Sequence, residues 1–145
     1  MKNIIALFVL AIVLSSCKCT PKTDADGWTY LFNGVDTEGW RAYNGDAMPP
    51  GWTVKDSTLT FDTELGLEQD YKGGLDIIYG LEEFDNFEFY VEWKLPEGGN
   101  SGIFYHLKEG VPNEGPSTIS PEYQLIDDIN YAKIHDITGY NLSLG

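Results

Sequence analysis

The chain has 145 residues, and its 9 Lys and Arg against 23 Asp and Glu give a formal net charge of −14. This length is typical of one domain. The acidic balance argues against a protein that grips nucleic-acid phosphates or docks on an anionic membrane surface by charge. With 16 Gly and 4 Trp, 9 Tyr and 7 Phe, the composition also points away from a helical bundle.

The N-terminus has the pattern of a bacterial lipoprotein signal. Lys2 supplies a positive charge, and an apolar run of 11 residues follows from Ile4 to Leu14. This run is too short to span a bilayer core, which needs about 20 residues, but it suits a signal peptide. We expect a signal peptide over residues 1–16, after which Cys17 is acylated and begins the mature chain. An ordinary secretory peptide without lipid is the alternative.

Residues 17–27 are small and polar, which is typical of a tether between membrane and domain. Cys19 is the only other cysteine, so neither a disulfide framework nor a cysteine metal site is expected. The chain is therefore expected to be exported and lipid-anchored, on the periplasmic side of the outer membrane or at the cell surface. Lys18, directly after the acylated cysteine, favours the periplasmic side.

Hydrophobic spacing beyond the tether has a period of two. Phe87, Phe89, Val91, Trp93 and Leu95 share one face of a predicted half-buried strand, with Glu88, Tyr90, Glu92 and Lys94 on the other. Residues 101–107 are predicted to pair with it across the Pro- and Gly-containing loop 96–100. Further strands are predicted at 52–54, 58–62, 76–79 and 122–126, whereas 37–43 and the terminal stretch tolerate a helical turn. The fold class is all-β, an antiparallel sandwich or jelly roll.

Four segments resemble, in the same order, the DUF1080 family of 3-keto-disaccharide hydrolases. They are Leu31-Phe32-Asn33-Gly34-Val35-Asp36-Thr37-Glu38-Gly39-Trp40, Gly51-Trp52-Thr53-Val54, residues 89–94 running into 98–103, and Pro121-Glu122-Tyr123-Gln124-Leu125-Ile126-Asp127-Asp128. The resemblance implies an exported, often lipid-anchored domain with a concanavalin-like jelly roll. Members of the family continue past the end of this chain. Residues 28–145 are thus expected to be the N-terminal part of such a domain, with little or no activity alone.

The resemblance also implies a reaction. The ketone at C3 of a 3-keto-glycoside acidifies the C2 proton, so the substituent at C1 can leave by elimination and water can then add. This needs a base for the C2 proton, a donor or cation for the ketone oxygen, and an acid for the leaving group. Hydrolase and lyase outcomes both remain open.

The candidate catalytic residues are Glu92 and Lys94 on the polar face of the long predicted strand, His106 on the following strand, and Glu122. Glu122 and Gln124 project to one face of their strand, and Asp127 lies at its end. A carboxylate and a carboxamide spaced by two residues suit sugar hydroxyls, and the family pattern strengthens that interpretation. Gln124, Asp127 and Asn100 are the candidate substrate-binding residues, although a turn-forming role alone is the stronger interpretation of Asn100.

The expected partner is an oligosaccharide or glycoside, with no nucleic acid and with membrane contact through a lipid anchor alone. A divalent metal is an open alternative, because His106 with Glu122 or Asp127 offers hard ligands, although their spacing gives it no support. The competing function is a non-catalytic carbohydrate-binding module. Such a module would present aromatic side chains to sugar rings, and the predicted core position of Trp93 favours the enzyme.

Overall fold

The computed structural model describes residues 22–68, 76–112 and 114–137. The predicted signal peptide, Cys17 and Cys19 lie outside these ranges. Within them, no helix is long and apolar enough to cross a membrane. The chain divides into two compact units, one up to Leu31 and the other from Phe32 onward.

The first unit contains a short hairpin. Strand β1 (Lys22–Thr23) pairs antiparallel with β2 (Thr29–Tyr30). The Asp24 carboxylate closes the connecting turn by accepting the backbone N–H groups of Asp26 at 3.0 Å and Trp28 at 2.9 Å. The hairpin includes residues that the sequence assigned to the tether.

In its described residues, the second unit holds six further strands and three helices. They are β3 (Trp40–Ala42), β4 (Trp52–Lys55), β5 (Thr58–Phe61), α1 (Thr63–Glu68), β6 (Ile77–Tyr79), β7 (Asn100–Phe104), α2 (Pro116–Ile119), β8 (Glu122–Ile126) and α3 (Tyr131–Ile134). The strands form antiparallel pairs, β3 with β6, β4 with β5 and β7 with β8. The fold is all-β, as predicted. The jelly-roll arrangement of the sheets stays a prediction.

The β4–β5 hairpin follows directly from its sequence. Its two turn residues, Asp56 and Ser57, have φ angles of 50° and 57°, the left-handed conformation that a tight two-residue hairpin turn requires. The register places Trp52 opposite Phe61, and their rings meet edge to face at 5.5 Å. Both strands lie where the alternation predicted them.

Residues 40–42 form strand β3, whereas the sequence allowed a helical turn over residues 37–43. Trp40 pairs with Tyr79 across the sheet, and their rings lie 5.7 Å apart at 66°. The preceding turn is fixed by Asn33, whose Oδ1 accepts the backbone N–H groups of Val35 at 2.8 Å and Asp36 at 3.0 Å. The family-like segment at 31–40 therefore has a structural role in the turn that leads into β3.

The prediction of a half-buried strand over 87–95 is wrong. No strand is assigned between β6 and β7, and Phe87, Phe89, Val91 and Trp93 are all exposed, Trp93 at 53%. The predicted hairpin with residues 101–107 is also wrong, because β7 pairs with β8 instead. Alternation marks a segment able to bury one face, but a strand also needs a hydrogen-bonded neighbour and a covering layer. Within the described residues this segment has neither.

Candidate functional site

The β7–β8 hairpin carries three of the seven predicted site residues, Asn100, Glu122 and Gln124, on one face. In its register Asn100 lies opposite Ile126, Gly102 opposite Gln124, and Phe104 opposite Glu122. Since alternate residues point to the same side of a sheet, these six positions share one face. On the other face, Leu125 is buried, with 7% of its surface exposed. Leu125 thus anchors the hairpin while Glu122, Gln124 and Asn100 stay exposed on the first face.

Glu122 depends on the glycine beside it. A Cβ built at Gly102 would overlap the Oε1 atom of Glu122 and lie only 2.6 Å from its Cγ. Glu122 therefore lies over the β7 backbone in the space that any other residue at position 102 would fill. The carboxylate accepts no hydrogen bond from the described residues and is open to a ligand.

Gln124 and Asn100 are joined directly. Nε2 of Gln124 donates to the Oδ1 atom of Asn100 and, at 2.8 Å, to the carbonyl oxygen of Ser101. Asn100 in turn donates from Nδ2 to the hydroxyl of Tyr131 at 3.3 Å. The structure thus brings together Glu122, Gln124 and Asn100, and adds Tyr131, which the sequence analysis missed.

Asp127 is engaged by the backbone around it. Its Oδ2 accepts the N–H of Gly98 at 2.8 Å and the side-chain amide of Asn130 at 3.0 Å, and its Oδ1 accepts the N–H of Ile129 at 3.1 Å. These bonds, led by the one from Gly98, hold the pKa of the Asp127 carboxyl below its usual value. Asp127 fastens the loop before β7 to the turn after β8, so its acceptor sites are largely occupied.

His106 lies just beyond the end of β7, two residues past the partner of Glu122. Its φ of 54° is in the left-handed region, which ends the strand at Phe104, earlier than predicted. The ring is exposed and lies 6.1 Å from the ring of Phe87 and 5.5 Å from that of Tyr105. His106 therefore borders both the hairpin and the segment that precedes it.

Glu92 and Lys94 are exposed on that preceding segment. Glu92 accepts a hydrogen bond from the Tyr90 hydroxyl at 3.0 Å, which raises the pKa of Tyr90. In the described part of the chain, no hydrogen bond or ion pair joins either residue to the β7–β8 face. The structure does not bring these two candidates into the site.

Comparison with known proteins decides the family. Residues 27–143 match the family model described as a 3-keto-alpha-glucoside-1,2-lyase-like domain. The chain belongs to this family. It is also 42% identical over 117 residues to a protein named 3-keto-disaccharide hydrolase from Bacteroides thetaiotaomicron, with 74% of this chain covered. It spans 40% of the length of that relative.

The metal alternative finds no ready site in this lyase-like domain. Among the described residues, no three His, Cys, Asp or Glu side chains lie close enough together to hold a metal ion. A metal at His106 with Glu122 or Asp127 therefore stays an open alternative, to which the described residues add no third ligand of this kind.

A second polar cluster in the domain surrounds the single arginine of the sequence. Arg41 binds Glu109 through two hydrogen bonds of 2.6 and 2.5 Å, and Glu109 also accepts the N–H of Asn44 at 2.9 Å. The hydrogen bonds between them raise the pKa of Arg41 and lower that of Glu109. The pair fixes the loop after β7 to β3 and to the loop that follows β3. The sequence analysis missed this pair. The one feature that could have pointed to it is that the single arginine of the sequence directly follows the family-like segment 31–40.

Proposed function

We propose that this chain contributes the polar face of β7–β8 to an enzyme that cleaves 3-keto-glycosides. Membership of the 3-keto-alpha-glucoside-1,2-lyase-like family supports this proposal, as does the name of the Bacteroides thetaiotaomicron relative. The observation that carries it is the open Glu122 carboxylate, seated over Gly102 on the same face as Gln124. A base for the C2 proton and an amide able to bind a sugar hydroxyl therefore lie on one face.

Glu122 acts as the base in this proposal. The C3 ketone stabilises the charge left when Glu122 removes the C2 proton, and the C1–oxygen bond then breaks as the C1–C2 double bond forms. The leaving oxygen takes a proton, and addition of water at C1 gives net hydrolysis. Without water addition, the unsaturated sugar is released and the enzyme is a lyase. General-base assistance of this kind typically contributes about 10²–10⁴-fold in rate.

The remaining acid and cation roles go to residues outside the hairpin. Lys94 is the candidate cation for the ketone oxygen and His106 the candidate acid for the leaving group, with Glu92 two residues from Lys94, although the described residues do not hold Lys94 or Glu92 at the β7–β8 face. Of these three residues, His106 lies nearest to Glu122, because it is two residues past Phe104, the partner of Glu122 in the β7–β8 register. The ring contact between His106 and Phe87 links the end of β7 to the segment that carries Glu92 and Lys94.

A carbohydrate-binding module is the second candidate, and one finding strengthens it. The predicted core position of Trp93 counted against a binding module, but Trp93 is exposed. Phe87 and Phe89 on the same segment are exposed as well. Exposed aromatic rings can stack on the apolar faces of sugars. Under this alternative the chain binds unoxidised and 3-keto sugars alike and cleaves neither.

The experiment uses a hybrid in which this chain replaces the matched segment of the Bacteroides thetaiotaomicron relative. The substrate is a 3-keto-disaccharide whose leaving group is glucose, with the unoxidised disaccharide as control. We expect glucose release from the keto sugar alone. Equal cleavage of the unoxidised sugar would reject elimination, and a folded hybrid that binds both sugars without cleavage would favour the binding module.

We also propose that Cys17 anchors the protein to a membrane through lipid, on the periplasmic side of the outer membrane or at the cell surface. The apolar run before Leu14-Ser15-Ser16-Cys17 supports this. Labelled palmitate should enter the expressed precursor, and Cys17→Ala should abolish incorporation, whereas Cys19→Ala should not. Labelling that persists in Cys17→Ala would overturn the anchor.

A further inference from the structure

The Gln124 side chain has a fixed orientation. The carbonyl oxygen of Ser101, 2.8 Å from Nε2, can only accept a hydrogen bond. Reversing the carboxamide would place two oxygens against each other, so the nitrogen must face β7. Its second N–H is taken by the Oδ1 atom of Asn100. A carboxamide has two N–H donors, and both are therefore used within the hairpin.

The orientation of Asn100 follows from that of Gln124. Because Nε2 of Gln124 faces it, Asn100 must present its Oδ1 atom there, and its Nδ2 then donates to the hydroxyl of Tyr131 in α3 at 3.3 Å. The Tyr131 ring is held in place by the His135 ring at 4.4 Å. The Ser101 carbonyl thus sets the direction of the Gln124 amide, and the bonds to Asn100 and, through Asn100, to Tyr131 hold it there.

The face consequently presents acceptors. The Gln124 Oε1 atom takes no hydrogen bond from the described residues, and Glu122, two residues earlier on the same strand, offers only carboxylate oxygens. Such a face binds hydroxyl hydrogens. It cannot donate to a ketone or enolate oxygen, so that oxygen must find its donor elsewhere.

We propose that Tyr131 and Asn100 are positioning residues that aim the Gln124 oxygen at the C2 hydroxyl of the sugar, beside the C2 proton that Glu122 removes. This rests on the proposed function, because it takes Glu122 as the base. It makes Gln124 a determinant of specificity for sugars with a hydroxyl donor at C2, and excludes it as a ligand of the ketone.

The orientation is tested without a sugar by NMR of the side-chain amide of Gln124. The variants are Tyr131→Phe, which keeps the ring beside His135, and Asn100→Ala. Tyr123→Phe is the control, since it removes the hydroxyl of an exposed side chain on the opposite face of the same strand. Loss of one hydrogen bond should speed exchange of the Gln124 amide protons by about fivefold in Asn100→Ala, less in Tyr131→Phe, and not in the control. Unchanged exchange in Asn100→Ala would overturn the proposal.

The specificity is tested by calorimetric titration of the hybrid carrying Glu122→Gln, which should bind sugar with little cleavage, with a 3-keto-glucoside and its 2-deoxy and 2-deoxy-2-fluoro analogues. Fluorine cannot donate a hydrogen bond, so both analogues should bind about tenfold more weakly than the parent. The difference should vanish in Gln124→Leu. A fluoro analogue that binds like the parent would overturn the proposal. Absence of binding by every sugar, with the amide orientation intact, would instead reject the proposed function on which the C2 assignment rests.

Discussion

The β7–β8 hairpin and the segment 87–95 differ in structure although strands were predicted in both. Both show apolar residues at alternate positions, yet β8 buries Leu125 against the unit while Trp93 remains exposed on a segment without a paired strand. The hairpin also has bonds on its polar face that fix Asn100 and Gln124. Alternation therefore indicates that a segment can bury a face, whereas pairing and side-chain bonds decide whether it does.

The largest expected effect separates these two regions by stability. Leu125→Ala should lower the free energy of unfolding by about 2–3 kcal/mol, because it removes a buried side chain from the hairpin. Trp93→Ala, which the sequence alone would have made a core deletion, should cost less than about 1 kcal/mol because the ring is half exposed. Urea unfolding of both variants measures this. A larger loss for Trp93→Ala would show that the segment is covered in solution.

A smaller effect concerns acid. The folded pKa of Glu109 lies below its ordinary value of 4.5, chiefly because of the hydrogen bonds from Arg41. Its stabilising effect is therefore full above that ordinary value and is lost as the pH falls through the lower folded pKa. With both side chains of the pair about 30% exposed, Glu109→Gln should remove about 1 kcal/mol at neutral pH.

Urea midpoints measured from about pH 7 to about pH 3 check this linkage. Below the ordinary pKa of glutamate, the urea midpoint of Glu109→Gln should change less with pH than that of the wild type. Glu114→Gln, which alters an exposed glutamate, serves as the control. Parallel wild-type and Glu109→Gln curves would mean that the Arg41 pair does not form in solution.

The smallest expected effect compares a serine in the left-handed β4–β5 turn with a serine in an extended strand. Ser57 has a φ of 57°, which glycine adopts more readily than serine. Ser57→Gly should raise the free energy of unfolding by about 0.5 kcal/mol. The same change in an extended strand, Ser101→Gly, should lower it by a similar amount. Destabilisation by both would contradict the left-handed turn.

The sequence predicted what depends on local pattern. The β4, β5 and β8 strands lie within a residue of their predicted ends, since turn residues and alternation are both local. The position of Glu122 and Gln124 on one face of β8 follows from the same period of two. The all-β class needs no more information than this.

What the sequence did not predict depends on contacts between distant segments. The local sequence does not determine whether β7 pairs with β8 or with residues 87–95. The Asn100–Tyr131 contact joins residues 31 positions apart. Gly102 could have been a bulge or a turn residue, and its use as space for Glu122 appears only when the two strands are paired. The Arg41–Glu109 pair, 68 positions apart, escaped for the same reason.

We propose that Glu122, on the open face of β7–β8, removes the C2 proton of the 3-keto sugar. The direct measurement is glucose release from the 3-keto-disaccharide by the hybrid carrying Glu122→Gln, with Glu114→Gln as the matched control. Glutamine keeps the shape and the capacity to bind hydroxyls but cannot take the C2 proton. We expect turnover to fall by about 10²-fold or more while sugar binding persists and the control stays at the parent rate. Near-normal turnover in Glu122→Gln would contradict the claim and leave Glu122 a structural residue.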